Sequence, residues 1–409
     1  MRTAYILLWF PKPSETFVFR EVMNLQDMGL PVKVFSLYGK LNRQLTPEMQ
    51  SASGAVERLG IRYLKRAPSE LIQLVIKDPK KLVTILKTLT IKPWYGLEKT
   101  GENLWAFLCA IHLARRFKEE GIEHIHAPWA SGPATAAWIA SNLTGIPFSF
   151  TCRAWDIYPP DGALKEKIND AAFVRSETGY NIRHLAELTD GNTGKIHLTY
   201  NGVPLKTHRE APVAMTPPYN LLALGRFVGK KGYDYLILAC KILKDAGFDF
   251  QLTLAGDGPL KGKLKRLTRR MGLTDRVFFP GFVTYERIPE LFHSADVFLM
   301  PSIVHSSGDR DGIPTVIMES LLHRVPVIAT DVSGIPEVIE DGITGFLIPQ
   351  KNSVALARAI VSLARDRKHA IRMAEQGRAK VSDMFDTEKS HTRILHLYEK
   401  HIPSVRKPL

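Results

Sequence analysis

The chain has 409 residues, of which 45% are hydrophobic and 23% charged, so it is an ordinary globular protein too long for one hydrophobic core. A formal net charge of +14 predicts an anionic partner, either nucleic acid, anionic lipid or a phosphorylated substrate. The three cysteines lie far apart without a C-x-x-C pair, which argues against a zinc site or disulfide framework and indicates a reducing compartment.

Strand-like and helix-like runs alternate in the first half, which is typical of a parallel sheet covered by helices. A predicted strand at 2–10 leads into a predicted helix at 16–29. The other elements predicted in this half are strands at 32–38, 122–127, 147–153, 172–176 and 195–200, and helices at 103–120, 133–144 and 178–189. The half ends at 204, and residues 205–218, which contain three prolines, predict a linker.

A basic amphipathic segment lies between residues 62 and 99, where cations are interleaved with leucine, isoleucine and valine. This pattern suits an anionic membrane surface, and a helix pair packed on its own domain explains it equally well. No stretch approaches the roughly 20 apolar residues of a transmembrane helix, so we expect any membrane contact to be peripheral. No basic strand or recognition helix interleaved with aromatic residues is visible, so no nucleic-acid partner is expected.

The second half repeats the alternation of strands and helices. It contains predicted strands at 219–225, 250–255, 276–280, 296–300 and 326–330, and predicted helices at 232–246, 260–271, 285–294, from 314, and at 353–366. Two doubly wound Rossmann-like domains are therefore predicted, at 1–204 and 219–385, followed by a separate amphipathic helix at 387–401 within the segment 386–409. Ligands bind beyond the carboxyl ends of the strands in such sheets, so the cleft between the domains is the expected site.

The stretch 308–322 predicts a loop followed by a helix that begins at Pro314. The start of a helix presents unpaired N–H groups and the positive end of the helix dipole, which together form a phosphate site. Asp311 precedes this helix and Glu319 lies within it, so both carboxylates can face one ligand. A phosphorylated sugar or nucleotide is predicted, although a surface loop with a capping aspartate explains the same pattern.

Two cations and two glycine turns follow other strands of this half. Arg226 leaves a predicted buried strand at its carboxyl end, and Lys231 precedes the next helix, so both are expected to hold a diphosphate. The turn at 256–259 is also explained as a purely structural one. At 280–282 the accessible backbone of Gly281 and Phe282 predicts hydrogen bonds to the edge of a nucleobase. Periodicity alone would instead place this segment in the hydrophobic core.

The order of these motifs resembles the retaining glycosyltransferases of family four, and the resemblance covers nearly the whole chain. In the first half it includes Phe10-Pro11, the run from Ser14 to Val18, and Asn201-Gly202-Val203, which are similar to the colanic-acid-type branch that builds bacterial exopolysaccharide and lipopolysaccharide. The resemblance implies an α/β protein of GT-B fold, with two Rossmann-like domains facing across a cleft and the C-terminal helix packing back on the first domain.

The resemblance also implies the reaction. A sugar would pass, with retention of configuration and without a metal ion or other cofactor, from a UDP- or GDP-linked donor to a glycan or lipid-linked acceptor. The implied location is the cytoplasm, with peripheral attachment to the inner membrane through 62–99. A GT-B-like nucleotide-sugar epimerase and a catalytically silent basic binding protein are the alternatives.

Roles are implied residue by residue where the motifs match. Glu319 matches the acid that hydrogen-bonds the nucleotide ribose, and Asp311 stands, one methylene shorter, where a glutamate beside the donor sugar usually lies. Arg226 and Lys231 match the cations that neutralise the diphosphate. The loop whose amides contact sugar and phosphate is matched by Gly312, Ile313, Pro314, Thr315 and Val316. The nucleotide-facing loop of the first domain is expected at Ser14, Glu15 and Thr16.

One departure from the family concerns Arg153, which stands where this branch typically has a histidine that contacts a hydroxyl of the donor sugar. Arginine donates hydrogen bonds but does not lose its proton, so it cannot act as a base. Either the site takes a different donor, such as an acidic one, or the activity is altered or lost. Asp156 is expected to orient Arg153 as an ion pair, and a structural pair at a strand end is the alternative.

Overall fold

The computed structural model describes residues 2–39, 45–65, 67–91, 96–158, 163–205 and 215–402. The chain divides into two compact units, unit 1 from Met1–Thr199 with Glu388–Leu409, and unit 2 from Tyr200–Thr387. Three predicted segments lie partly outside the described residues, the linker at 206–214, the basic segment at 66 and 92–95, and the C-terminal region at 403–409.

Unit 1 contains a seven-stranded parallel sheet. Its strands are β1 (Thr3–Leu7), β2 (Val32–Ser36), β3 (Glu57–Arg58), β4 (His124–Ala127), β5 (Phe148–Cys152), β6 (Phe173–Ser176) and β7 (Ile196–Leu198). They lie in the order β3-β2-β1-β4-β5-β6-β7. β1, β4, β5 and β6 are buried at every residue, which is what a parallel sheet covered on its faces requires.

Eight helices surround this sheet among the described residues of the first half. They are α1 (Thr16–Asp27), α2 (Pro47–Ser53), α3 (Ala67–Lys77), α4 (Pro79–Ile91), α5 (Gly96–Glu119), α6 (Gly132–Thr144), α7 (Leu164–Asp170) and α8 (Gly179–Leu188). Over the described part of the chain, no helix has both the length and the apolar character needed to cross a bilayer.

The predicted basic segment contributes helices α3 and α4. Glu70 of α3 accepts a hydrogen bond from the Tyr63 hydroxyl at 2.8 Å and lies 2.9 Å from Nδ1 of His112 in α5, so α3 is held against unit 1. Ile72 and Ile76 on the same helix remain 60% and 75% exposed. The pair therefore packs on its own domain and still presents apolar side chains to solvent.

Unit 2 contains a six-stranded parallel sheet. Its strands are β8 (Tyr219–Leu224), β9 (Phe250–Ala255), β10 (Val277–Phe278), β11 (Val297–Met300), β12 (Val327–Thr330) and β13 (Phe346–Ile348). Its helices are α9 (Tyr233–Asp245), α10 (Lys261–Arg270), α11 (Ile288–Ser294), α12 (Thr315–Leu322), α13 (Ile335–Val338), α14 (Ser353–Arg365) and α15 (Arg367–Met384). The order β10-β9-β8-β11-β12-β13 changes direction between β8 and β11, which is where ligands of such sheets bind.

The last helix, α16 (Thr387–His401), packs on unit 1. Tyr398 is fully buried, and its hydroxyl lies 2.9 Å from the hydroxyl of Tyr5 in β1. Its ring makes edge contacts with Phe173 and His124, with centroids 5.4 and 5.1 Å away. Edge-on aromatic contacts and the contact between the two hydroxyls therefore hold this helix beside the first sheet.

The boundary between the units differs from the predicted one. The backbone N–H of Val203 donates to the carbonyl of Phe385 at 2.8 Å, and the Tyr200 hydroxyl donates to Glu337 at 2.9 Å. Residues 200–204, predicted in the first domain, therefore belong to unit 2. The predicted architecture of two parallel sheets with helices is confirmed.

The turn after β9 allows a sharp test of the packing in unit 2. Gly256 has a φ of +138°, and a Cβ there would lie 2.0 Å from the carbonyl oxygen of Gly225. Because backbone would have to move, we expect Gly256→Ala to destabilise unit 2 by at least about 3 kcal/mol. Gly272→Ala is the control, because its φ is +64° with nothing within 4 Å, and it should cost about 1 kcal/mol. Urea unfolding followed by circular dichroism measures both, and equal losses would contradict the close approach.

Candidate active site

The turns after neighbouring strands of unit 2 are hydrogen-bonded to one another at the carboxyl edge of the sheet. The N–H of Phe227 donates to the carbonyl of Asp257 at 2.9 Å. The N–H of Gly256 donates to the carbonyl of Gly281 at 2.8 Å. The loops that follow β8, β9 and β10 therefore form one connected backbone surface, which includes the predicted residue Gly281.

Lys231 and Asp311 form an ion pair at this edge. The Lys231 Nζ lies 2.9 Å from Oδ2 of Asp311, and the two side chains are only 12% and 9% exposed. Ser302 donates its hydroxyl to the same oxygen at 2.6 Å, and Lys230 Nζ lies 3.7 Å from Oδ1. Burial on its own raises the pKa of Asp311, but the two lysines and Ser302 outweigh it and lower this pKa. Asp311 is therefore ionised at neutral pH.

The loop before α12 is fixed by the turn that follows β8. Lys230 Nζ lies 3.1 Å from Oδ1 of Asp309, and the N–H of Ile303 donates to the Lys230 carbonyl at 2.8 Å. Gly232 has a φ of +61°, and a Cβ there would lie 2.1 Å from the carbonyl oxygen of Pro301. Sequence reasoning missed Lys230 and Ser302, although the lysine doublet and the position just after β11 were visible signals.

The helix beyond this loop begins one residue later than predicted. α12 starts at Thr315, and Pro314 is its N-cap, with extended φ and ψ of −63° and 122°. Gly312, Ile313, Thr315 and Val316 are half-buried and Pro314 is buried, so this loop packs against unit 2 rather than extending into solvent. Glu319 lies within α12 and is half-buried.

Two predicted residues of unit 2 are open to solvent. Arg226 is exposed and, among the described residues, its side chain forms no ion pair. Phe282 is 61% exposed, beyond the turn at Gly281. The Lys231 side chain lies beside Gly225, the residue before Arg226, because a Cβ on Gly225 would lie 3.4 Å from the Lys231 Cε.

In the described part of the chain, no group of three His, Cys, Asp or Glu side chains could hold a metal ion.

In unit 1, Arg153 follows β5 and is almost fully buried. Its guanidinium lies over the rings of Phe17 and Trp129, 4.5 and 5.2 Å from their centroids. Nη1 forms an ion pair with Glu177, and Nε donates to the carbonyl of Pro128 at 2.9 Å. Burial lowers the pKa of Arg153 to about 10, so the side chain stays charged at neutral pH. This residue is held on several sides by protein groups.

Asp156 lies beside Arg153, and the orienting ion pair predicted between them stays a prediction. Its carboxylate accepts hydrogen bonds from the backbone N–H groups of Ala130 at 2.8 Å, Ala154 at 2.8 Å and Arg153 at 3.0 Å. Burial raises the pKa of Asp156, and the three amides oppose this shift only in part. A short acidic side chain near a strand end binds the local backbone more readily than a long side chain.

A second buried ion pair lies beside Arg153. Arg175 of β6 donates to both carboxylate oxygens of Glu21, at 3.0 and 2.7 Å. Burial on its own raises the pKa of Glu21, but Arg175 outweighs it and the pKa falls well below its usual range. Arg153 with Glu177 and Arg175 with Glu21 are thus two balanced pairs. Sequence reasoning missed Glu177, although it directly follows a predicted strand.

The predicted loop of unit 1 is connected to Arg153 through Trp129. Trp129 donates its indole N–H to Glu15 at 3.3 Å, and Lys12 Nζ lies 2.5 Å from the same carboxylate. Ser14 is exposed, whereas Glu15 and Thr16 are half-buried at the start of α1. The structure therefore groups 14–16 with Arg153 in unit 1, and Lys231 with Asp311 and the start of α12 in unit 2.

The Arg153 pair can be tested through stability. We expect Glu177→Gln to destabilise unit 1 by about 3 kcal/mol, because it leaves a buried guanidinium without its anion. Glu187→Gln is the matched control, since that side chain is 81% exposed and its loss should change stability by less than about 0.5 kcal/mol. Urea unfolding measures both variants, and a neutral Glu177→Gln would contradict the ion pair.

The lowered pKa of Asp311 predicts a pH dependence with a defined sign. A carboxylate whose pKa is lower in the folded than in the unfolded chain stabilises the fold above its unfolded value, about 3.9, and loses this contribution as pH falls through the folded pKa. We therefore expect the stability difference between the wild type and Asp311→Asn to be largest near pH 7 and to shrink below about pH 4. Urea midpoints measured from pH 7 to pH 3 test this, and a difference that grows on acidification would contradict it.

Comparison with known proteins points to the same family as these motifs. A family model for glycosyl transferases group 1 matches residues 206–380. AmsK of Erwinia amylovora, an amylovoran biosynthesis glycosyltransferase, is 29% identical, covering 98% of this chain and 100% of AmsK. WcaL of Salmonella typhimurium, assigned provisionally to colanic acid biosynthesis, is also 29% identical with the same coverage. The 2-deoxystreptamine glucosyltransferase of Streptomyces kanamyceticus is 30% identical over 71% of this chain and 80% of its own.

Solved structures bear on the fold. HepE of Anabaena in complex with UDP-glucose matches with a TM-score of 0.71 and 17% identity, over 98% of this chain and 100% of that one. Identity at this level speaks for the fold alone, and the predicted GT-B fold class is confirmed. The resemblance to glycosyltransferases of exopolysaccharide synthesis is confirmed by the full-length relatives. The chain belongs to the group 1 glycosyl transferases and is a glycosyltransferase.

Proposed function

We propose that the chain transfers a sugar, with retention of configuration, from a UDP- or GDP-linked donor to a glycan or lipid-linked acceptor in bacterial exopolysaccharide or lipopolysaccharide synthesis. The observation that carries the proposal is the Lys231–Asp311 pair beside the start of α12, at the switch point of the sheet. Its support from relatives is that AmsK is a glycosyltransferase of amylovoran biosynthesis and that HepE, of similar fold, binds UDP-glucose.

Leaving-group charge would be neutralised by Arg226, Lys231 and the N-terminus of α12. Arg226 is exposed and can fold onto a diphosphate, whereas Lys231 is already fixed by Asp311. A cation that is in place before substrate binds needs no reorganisation when charge develops on the departing diphosphate. The backbone amides from Gly312 to Val316 would contact sugar and phosphate. These groups supply the electrostatic stabilisation without a metal ion or other cofactor.

The remaining residues would position the two ends of the donor. Glu319 would bind the ribose, and the turn at Gly281 and Phe282 would receive the base. Asp311 would lie beside the sugar, and the loop 14–16 of unit 1 would face the nucleotide. The acceptor hydroxyl would form its bond to the anomeric carbon on the face from which the diphosphate leaves, and would give its proton to the departing phosphate oxygen, so that the configuration would be retained.

Arg153 would act in this reaction as a hydrogen-bond donor and never as a base. Its charge is already balanced by Glu177, and its guanidinium is packed against two aromatic rings. A carboxylate on the donor would find no free cation there, so we propose a neutral sugar as the donor. This choice departs from the acidic donor that the arginine alone suggested.

The chain would work in the cytoplasm, attached peripherally to the inner membrane through α3 and α4. Ile72, Val75 and Ile76 of α3 are 60%, 48% and 75% exposed, and Lys80 and Lys81 of α4 are exposed as well. Exposed apolar side chains beside lysines suit the headgroup region of an anionic bilayer. A lipid-linked acceptor would be reached from that position.

A thermal-shift screen against UDP-, GDP- and ADP-sugars tests the donor proposal. A ligand at 100 times its dissociation constant stabilises the fold by about 2.7 kcal/mol, so one nucleotide sugar should raise the melting temperature clearly. We expect Glu319→Ala to abolish this rise, because the ribose contact is lost. Glu340→Ala, an exposed glutamate of the same unit, is the matched control and should keep it.

Two further outcomes bear on the same screen. The rise in melting temperature should persist in EDTA if no metal ion takes part. A nucleotide linked to a neutral hexose should raise the melting temperature more than the same nucleotide linked to the corresponding uronic acid. No response to any nucleotide sugar, with a control transferase responding in parallel, would refute the proposed donor class. A response that Glu319→Ala and Glu340→Ala retain equally would refute the assigned ribose site.

A further inference from the structure

Helix α10 has an unusual distribution of charge. It has ten residues, and its only ionisable side chains are the cations Lys261, Lys263, Lys265, Arg266, Arg269 and Arg270. At about 100° per residue these cations cover a continuous arc of about 200°. The opposite side carries Leu264 and Thr268, which are 2% and 3% exposed and face unit 2. The whole outer surface of this helix is therefore cationic.

This arrangement weakens the isolated helix. Lys261 and Lys265, Lys265 and Arg269, and Arg266 and Arg270 are like-charged pairs at i,i+4, which repel one another. The two lysines in the first turn also oppose the helix dipole, which favours anions at that end. In α9, by contrast, Lys241 is paired with Asp245 at i,i+4. An external anionic surface would remove the repulsion that α10 does not offset internally.

The outer cations are available to such a surface. Lys261 is paired with Asp257 at 2.6 Å, and Lys265 lies 5.8 Å from the ring centroid of Phe279. Within the described ranges, no ion pair involves the other four, and all four are exposed. They are Lys263, Arg266, Arg269 and Arg270.

We propose that this face of α10, termed the α10 face, binds the anionic surface of a lipid bilayer. The face is a row of long cationic side chains along the outside of one helix, which suits many phosphate headgroups in a plane rather than one bound ion. It has no aromatic or amide side chain that would stack on or read bases, which disfavours nucleic acid. It lies in unit 2 and shares no residue with the apolar and basic surface of α3 and α4 in unit 1.

The α10 face gives the transferase a second point of attachment. Its binding is purely electrostatic, so it should weaken steeply with salt and depend on the fraction of anionic lipid. The surface of α3 has exposed isoleucines, so its binding to the bilayer should be less sensitive to salt. The inference therefore goes beyond the contact proposed for α3 and α4, and it stands or falls independently of the donor.

Vesicle sedimentation with the purified full chain tests the inference. The vesicles contain phosphatidylcholine with about 30% phosphatidylglycerol, or phosphatidylcholine alone. We expect Lys263→Gln/Arg266→Gln/Arg270→Gln to bind the anionic vesicles about a hundredfold more weakly, since each cation contributes about fivefold near such a surface. The matched control, Arg358→Gln/Arg365→Gln/Lys368→Gln, removes the same charge from exposed positions of α14 and α15 and should bind within about threefold of wild type.

The melting temperature of the α10 variant should equal or exceed that of the wild type, because repulsion is removed, so unfolding cannot mimic the expected loss. Unchanged binding of this variant overturns the proposal, and so does an equal loss in the control, which would reflect net charge alone. Binding to duplex DNA or RNA without a preference for anionic vesicles also overturns it. If only Ile72→Ser/Ile76→Ser loses vesicle binding, the contact through α3 stands and the α10 proposal fails.

Discussion

The ion pair between Lys231 and Asp311 is the contact on which the geometry of the candidate site depends. It joins the turn after β8 to the loop after β11, and these two strands are neighbours at the point where the strand order of unit 2 reverses. Because both side chains are largely buried, neither charge can be removed without leaving the other unbalanced in a poorly solvated place. The position of α12 follows from this link, since its helix begins only four residues beyond Asp311.

Unit 1 uses buried charge in a different way. Two buried arginines, Arg153 and Arg175, form ion pairs with Glu177 and Glu21 respectively. The carboxylate of Asp156 accepts hydrogen bonds from the backbone beside Arg153. The charge of Arg153, for which the sequence suggested an acidic donor, is therefore balanced by Glu177 within the protein. The Arg153 guanidinium also packs against the rings of Phe17 and Trp129, which contact each other edge-on.

Long periodic segments could be predicted from the sequence. The strand at 250–255 and the final helix at 387–401 have the predicted bounds, and the helix from 16 ends at Asp27. Sequence periodicity does not reveal β13, which has three residues, or α15, whose buried face is made largely of small residues such as Ala370, Ala374 and Gly377. Short strands show no alternation and small residues give a weak apolar stripe.

Candidate residues of the site could be proposed from the sequence more readily than their contacts. Glycine turns and helix starts mark Arg226, Lys231 and Asp311, but the pairing of Lys231 with Asp311 requires the adjacency of β8 and β11. In unit 1, Cys152 lies opposite Ser176 in the sheet, so the next residues of both strands, Arg153 and Glu177, become neighbours. Such register is set by tertiary packing, and no local pattern encodes it.

The C-terminal helix also determines the order in which the chain can be completed during synthesis. Unit 2 is one continuous stretch, so all of its strands have left the ribosome before α16 is made. The core of unit 1 includes Ile394, Tyr398 and Ile402 together with Tyr5 and Phe173, which are hundreds of residues earlier in the chain. The first domain to be translated is therefore finished only after unit 2 has been translated, and its aromatic cluster stays open until α16 emerges.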